Sequence, residues 1–440
     1  MVVARATLAT VLICLAATAA TVASASPSRV THRAAMLSGG GKPLNITPRS
    51  LGLGSGRVAY LQFSIPASWN GSTILLRLTA ARRSSGISVR RVLATWKSGK
   101  ATHISPVKAL AAVSTGSLAA GSKRFLNLST ILKAGHSYTL RLSAPSGRAT
   151  LSPVPYLVRG STVNIAAAGD ISCRPSDAAW NGGLGSASEC RQSAVSSLVL
   201  PTDAAVLTLG DNQYPSGALA DFQSGFGSSW GTLAPRLRPA LGNHEYGTAG
   251  AAGYFDYFAS IGVGTGDRTK GYYGTDVGSW RLLSLNSNCT EASCSAGSVQ
   301  EQWLRSELTA ARTAGKCTLA YWHHPRASSG SHGDNLSVDA LWRAFHALGG
   351  DVVLAGHDHN YQRFDPLGAD ASPASDGPRS FVVGTGGRSH YSVTTTRAGS
   401  AKTITNTFGL LRLGLSSGSY SWQWSGVDGA GSDSGTGSCR

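Results

Sequence analysis

The residues able to do chemistry fall in five short clusters of carboxylates, amides and imidazoles. They are Gly169-Asp170, Gly210-Asp211-Asn212-Gln213-Tyr214, Gly242-Asn243-His244-Glu245, His323-His324-Pro325 and Gly356-His357-Asp358-His359. Taken singly each is weak: a Gly-Asp pair is an ordinary helix-capping turn, and His357 with His359 reads equally as a surface pair. Taken as an ordered set they supply carboxylate oxygens, imidazole nitrogens and an amide oxygen, the donors of hard and borderline cations. Two cations roughly 3.5–4 Å apart make a nucleophile from water and hold the charge that develops on a phosphoryl group. Such a pair needs a shared carboxylate to offset cation–cation repulsion. It also needs neutral donors that leave positions open for water and substrate. The expectation is a two-metal site acting on a phosphate ester.

The elements that must position these donors are visible as apolar runs. Residues 163–168, 204–209, 318–322 and 352–355 are buried-type stretches that each end at a cluster, and Leu241 precedes the third. Helical stretches lie between them, for example 298–313, where Trp303, Leu304, Leu308 and Ala311 recur near helical spacing. Strands alternating with helices predict an α/β domain with its active groups just past the carboxyl ends of the strands. A glycine before a donor lets the backbone turn sharply and approach an ion. Residues 408–424 read as two strands joined at Ser416-Ser417-Gly418, closing one of the sheets.

From about residue 163 to 390 these motifs resemble the calcineurin-like metallophosphoesterase superfamily, especially its purple acid phosphatase branch. The resemblance implies a two-sheet β-sandwich flanked by helices. It implies Asp170, Tyr214 and His359 on a first metal, Asp211 bridging, and Asn243, His323 and His357 on a second. His244 then contacts phosphate or protonates the leaving group. Many members carry a histidine where this chain has Ser172. Tyr214 supplies the missing donor, as in the purple branch, unless it is a packed loop aromatic. A phenolate is a hard donor suited to Fe(III), so the expected cofactor is Fe(III) with a divalent Zn, Mn or Fe ion.

The family's His-x-Pro pattern favours His323 over His324 as the ligand. His332, nine residues on, is a second candidate acid or phosphate contact, or else a loop histidine between Gly330 and Gly333. Tyr246, Trp322, Asn360 and Tyr361 are expected in the surrounding wall. Asp358 is expected to point away from the metals by strand-like alternation. Charge alone does not place Arg326 or Arg363 in the site. The implied activity is metal-dependent hydrolysis of phosphomonoesters by metal-hydroxide attack. Two alternatives stay open: a phosphodiesterase on the same core, and an inactive wall- or polyanion-binding protein.

The charge is split along the chain. Residues 27–155 hold 18 Lys and Arg and no acid, whereas residues 156–440 hold 20 against all 22 acids. The basic part has alternating runs at 58–63, 73–78, 89–96 and 138–142 bounded by Gly, Ser, Asn or Pro, which predicts an all-β sandwich over 27–144. A face rich in cations and lacking acids fits an anionic cell-surface polymer, or else is a solvated basic surface with no specific partner. No aromatic stacking pattern points to specific nucleic-acid binding. Pro145, Pro153 and Pro155 mark 145–159 as the expected linker to a catalytic domain over 160–440.

Residues 1–25 read as a signal peptide: Arg5, an apolar stretch over 6–20, and Ala23-Ser24-Ala25 as the cleavage site. Export to the extracellular space is expected, with a retained N-terminal anchor as the alternative. No later apolar run has the length of a membrane span. Six cysteines follow Cys14, and an even number in an exported chain suggests disulfides. Cys173 with Cys190 and Cys289 with Cys294 are plausible local pairs, leaving Cys317 for Cys439, although six cysteines allow 15 pairings.

Overall fold

Alternation of apolar and polar residues builds the first half. A computed structural model describes residues 32–37, 43–44 and 51–440, apart from 55–56, 70–72, 98–99, 107–111, 116, 119, 121–122, 153–154 and 394. The expected signal peptide lies outside the described residues. Strand Ser137–Ser143 pairs antiparallel with both Val58–Ser64 and Ser88–Lys97. Strand Thr73–Thr79 pairs with Lys123–Asn127 and Tyr156–Gly160 in the facing layer. Leu61, Phe63, Trp69, Leu76, Val89, Leu140 and Leu142 fill the space between the layers.

The expected linker is corrected here. Ala149–Leu151 pairs with Leu51–Leu53, and Tyr156–Gly160 pairs with Thr73–Thr79. Leu151 and Leu157 are fully buried in the sandwich core. The sandwich therefore runs to Gly160, and only residues 161–162 separate it from the next strand.

The second half holds two sheets face to face. One runs in the order Leu237–Ala240, Asp203–Leu209, Val163–Ala168, Gly409–Ser416, Ser419–Gly426, Ser432–Ser438. The other runs Tyr273–Val277, Trp280–Ser284, Cys317–Tyr321, Val352–Ala355, Arg379–Val383, Tyr361–Phe364, Ser400–Ile404. Within each sheet the strands that lead to the clusters run parallel to one another, so their carboxyl ends share one edge of the sandwich. Ile165, Leu207, Leu282, Leu319, Leu354, Phe381 and Leu411 lie in the core between the sheets.

Helix Val299–Ala314 and helix Asp339–Ala347 cover the outer face of the second sheet through Leu304, Leu308, Leu341, Trp342 and Phe345. Ser298 caps the first helix by accepting from the Glu301 amide at 3.2 Å, and Gly315 ends it at φ 73°. Strands Gly409–Ser416 and Ser419–Gly426 join the first sheet as residues 408–424 predict, but a further strand, Ser432–Ser438, forms its edge. Three disulfides join Cys173 to Cys190, Cys289 to Cys294 and Cys317 to Cys439. Among the described residues, no helix is long and apolar enough to cross a membrane.

Candidate metal centre

Three of the proposed donors sit on backbone that side-chain-bearing residues rarely adopt. Asp170 has φ 60°, Asp211 φ 47° and His357 φ 71°, each two residues past a strand end. Conformations of this kind cost about 1–3 kcal/mol each and persist only where the surroundings enforce them. Here the enforcement is a mesh of hydrogen bonds. The Asp170 amide donates to Gly210 O at 3.1 Å and the Ile171 amide to Asp211 O at 2.9 Å. The His357 amide donates to Asp170 Oδ2 at 2.8 Å, and the His244 amide to Asp211 Oδ1 at 2.9 Å. Glycines clear the space: a Cβ at Gly242 would run into the carboxylate and amide of Asp211, and one at Gly210 into the His323 ring.

All seven expected ligands come together. The Tyr214 hydroxyl lies 3.1 Å from Asp170 Oδ1, 2.9 Å from Asp211 Oδ2 and 3.1 Å from His359 Nε2. His323 Nε2 lies 3.2 Å from the same Asp211 Oδ2, 3.1 Å from Asn243 Oδ1 and 3.2 Å from His357 Nδ1. The donors thus form two groups, and one Asp211 oxygen touches both. A backbone carbonyl sets the His323 tautomer. His323 Nδ1 donates to Leu209 O at 2.9 Å, which turns Nε2 inward. His359 Nδ1 meets the Ser389 hydroxyl at 2.8 Å, which orients the ring with Nε2 toward the donors.

The donor chemistry fits cations. Asp170 and Asp211 are 0 % and 2 % exposed, yet their ion-pair partners are imidazoles only, with no Lys or Arg among the described residues. Two buried carboxylates so close need positive charge. Without ions the imidazoles supply it. Burial works against ionising Asp211, but the His323 charge beside it and then His244 hold it well below the usual carboxylate range. Burial likewise disfavours a charged His323, yet Asp211 lifts it to about 10. His357 is pushed down to about 2 and His324 to about 3, by burial first and then by the charge on His323. Burial, then Asp211 and Asp170, raise the Tyr214 phenol well above its ordinary value.

Residues 163–361 match the calcineurin-like phosphoesterase family. They form a calcineurin-like phosphoesterase domain. Two proteins of Mycobacterium tuberculosis, from strains CDC 1551 and H37Rv and both described as uncharacterized, are 30 % identical over 157 residues. That match covers 31 % of this chain and 30 % of each relative, so the chain spans less than a third of their length. The purple acid phosphatase PPD1 from yellow lupin seeds shares the fold at a TM-score of 0.51 and 14 % identity, over 92 % of this chain and 74 % of that one.

Around the phosphoesterase donors, the other expected residues fall as follows. His244 Nε2 is 3.7 Å from Asp211 Oδ2, and its Nδ1 faces the Pro215 carbonyl. His332 is exposed and stacks on His357 with ring centroids 4.1 Å apart. His324 lies beside His323 and His357 and bonds Ser287 Oγ at 2.9 Å, so three imidazoles crowd this edge. Asp358 is turned away as expected, bonding Ser328 Oγ and the His332 amide, and so holds the His332 loop. Arg326 pairs with Asp339 and Asp334, and Arg363 with Asp433, all outside the donor set. Tyr246 bonds Asn286, Trp322 donates to His324 O, Asn360 donates to Tyr391 O, and Tyr361 bonds Asp433.

Sequence reasoning gave Glu245 no role of its own and missed three further neighbours. Glu245 is fully buried and accepts from the amides of Gly242, Asp211, Asn212 and Gln213 at 2.7, 3.0, 2.8 and 3.3 Å. It ties two cluster loops together. Burial and the Asp211 charge raise its carboxyl to about 7. Its place directly after His244 was the available signal. Tyr391 stacks flat on His359 at 3.9 Å, Ser389 orients the same ring, and Arg388 lies over the Tyr214 ring at 5.4 Å. Nothing in their local sequence marks these three.

Proposed function

We propose that this protein is an exported dinuclear metallophosphatase acting on phosphomonoesters. One observation carries the reading: a single buried carboxylate oxygen, on Asp211, is shared between two groups of donors. Asp170, Tyr214 and His359 would hold one ion, Asn243, His323 and His357 the other, and Asp211 both. Ions bound there would generate a nucleophile from water and offset the charge on the phosphoryl oxygens. The phenol of Tyr214 in the first group supports Fe(III), with Zn, Mn or Fe as the divalent partner.

The chain's own residues supply orientation and protons. A carbonyl can only accept, so the contact of His244 Nδ1 with Pro215 O puts a proton on Nδ1 and leaves Nε2 facing the centre. Protonated at Nε2, His244 can donate to a phosphoryl oxygen or to the departing alcohol. His332, exposed above His357, is a second donor on the open side. Export is supported by the pairing of all six cysteines after Cys14, which suits an oxidising compartment. The basic sandwich is proposed to hold an anionic polymer, supported by its 18 cations and lack of acids over 27–155.

The test compares p-nitrophenyl phosphate with bis-p-nitrophenyl phosphate on protein of measured metal content. The monoester reading expects about two ions per chain and faster monoester turnover. Faster diester turnover makes the protein a phosphodiesterase. Well under two ions, and no turnover with any added metal, leaves the inactive binding protein. An iron-containing protein should also show a visible phenolate band that Tyr214→Phe abolishes.

A further inference from the structure

We propose that the outer face of the N-terminal sandwich carries a built site for a phosphate-bearing polymer, in a groove lined by Arg57, Arg90, Arg141 and Arg148. This rests on the reading of that sandwich as a polyanion-binding module and gives it a location and a ligand chemistry. The groove is open and about 600 Å³ in volume. Its lining contains four arginines and no acid.

The register explains how the charges come together. Arg90 on Ser88–Lys97 lies directly opposite Arg141 on Ser137–Ser143, and the rung two residues away pairs Ser88 with Ser143. Residues two apart on a strand share a face, so this face shows a rung of guanidinium groups beside a rung of hydroxyls. Arg57 and Arg148 are exposed at the groove's rim, where the backbones of Gly54 and Gly147 nearly touch. Like charges directly opposed across strands disfavour pairing, and a polyvalent anion relieves them. Guanidinium forks match the oxygens of phosphate, and a tetrahedral group can take a fork and a hydroxyl together.

Fluorescence anisotropy with the full chain tests this, using end-labelled long-chain polyphosphate in EDTA at several NaCl concentrations. EDTA separates binding from any metal-dependent hydrolysis. The expected result is salt-dependent binding that Arg90→Ser/Arg141→Ser weakens about 10- to 100-fold, while the log–log salt slope falls by about two. Arg82→Ser/Arg83→Ser, on an exposed turn outside the groove, should cost under about threefold. Should the strand variant misfold by circular dichroism, Arg57→Ser/Arg148→Ser at the rim is the replacement, with the same expectation. Equal weakening by both pairs means diffuse charge and overturns the groove, while leaving the polyanion reading standing. No binding by the wild-type chain at low salt overturns both. Polyglutamate of equal charge binding as tightly overturns the phosphate assignment.

Discussion

Glu245 shows what a single residue contributes here. Its carboxylate receives four backbone amides from two loops, one carrying Asp211 and one carrying Asn243. Glu245→Gln keeps the shape but sets an NH2 group against amide donors. A buried charge-assisted network broken in this way costs roughly 2–4 kcal/mol. Thermal unfolding should show that loss, and metal content should fall with it. An unchanged metal content would mean the Asp211 loop holds its shape unaided. His323 gives a second expectation. In the metal-free protein it carries a proton opposite Asp211, its pKa lifted to about 10, and a cation taking that place must expel it. Titrating zinc into metal-free protein at neutral pH in weak buffer should release protons, and should release fewer from His323→Asn.

At the scale of elements, the strand ends deliver the donors and glycines let them approach. Gly242 leaves no room for a Cβ beside the Asp211 carboxylate. Gly242→Ala should therefore lower monoester turnover by a factor of about 100 or more, since small displacements of positioned groups are costly. Helical content should stay the same, because the glycine lies in a loop. Turnover near wild type would show that the two loops can separate without harm. These turns were legible in the sequence as glycine next to donor. What was not legible is the backbone geometry, because positive φ at Asp170, Asp211 and His357 is imposed by hydrogen bonds from other strands. The expected linker failed for a related reason: Pro153 and Pro155 are local signals, whereas burial of Leu151 and Leu157 is decided by the facing layer.

For the whole molecule, the seam between the two halves is specific. Asn127 Nδ2 donates to Ser419 Oγ at 2.8 Å, and a small cavity beside it brings Lys123 and Arg124 near Asp351, Cys439 and Arg440. The Cys317–Cys439 bond closes a sequence separation of 122. Chain-entropy reasoning assigns a loop of this size about 4–5 kcal/mol, so Cys317→Ala/Cys439→Ala should lower the unfolding midpoint in denaturant. Asp351 gives the seam a pH dependence. Burial raises its carboxyl to about 6, against 3.8 in an exposed chain. Below about pH 4 both states are protonated and its share of stability is complete. As pH rises through 6 the unfolded chain has already ionised, and that share is lost. Relative to Asp351→Asn, the protein should lose roughly 3 kcal/mol between pH 4 and 7. Parallel pH curves for the two proteins would contradict this.

The order of the clusters, the glycine beside nearly every one and the apolar run ahead of each pointed, without coordinates, to an α/β domain with candidate donors at its strand ends, while the seven expected ligands rest on the family resemblance. Those features are local or periodic, and periodicity reports which face of an element is buried. The alternation around Arg90 and Arg141 was legible in the same way. Their pairing across strands was not, since register depends on contacts far apart in the chain. The amides gathered by Glu245, the Ser389 hydroxyl and the Tyr391 ring against His359, and the sharing of one Asp211 oxygen are decided only when strands distant in sequence meet at one edge. Distances of about 3 Å between such groups follow from packing, and packing is a property of the assembled chain.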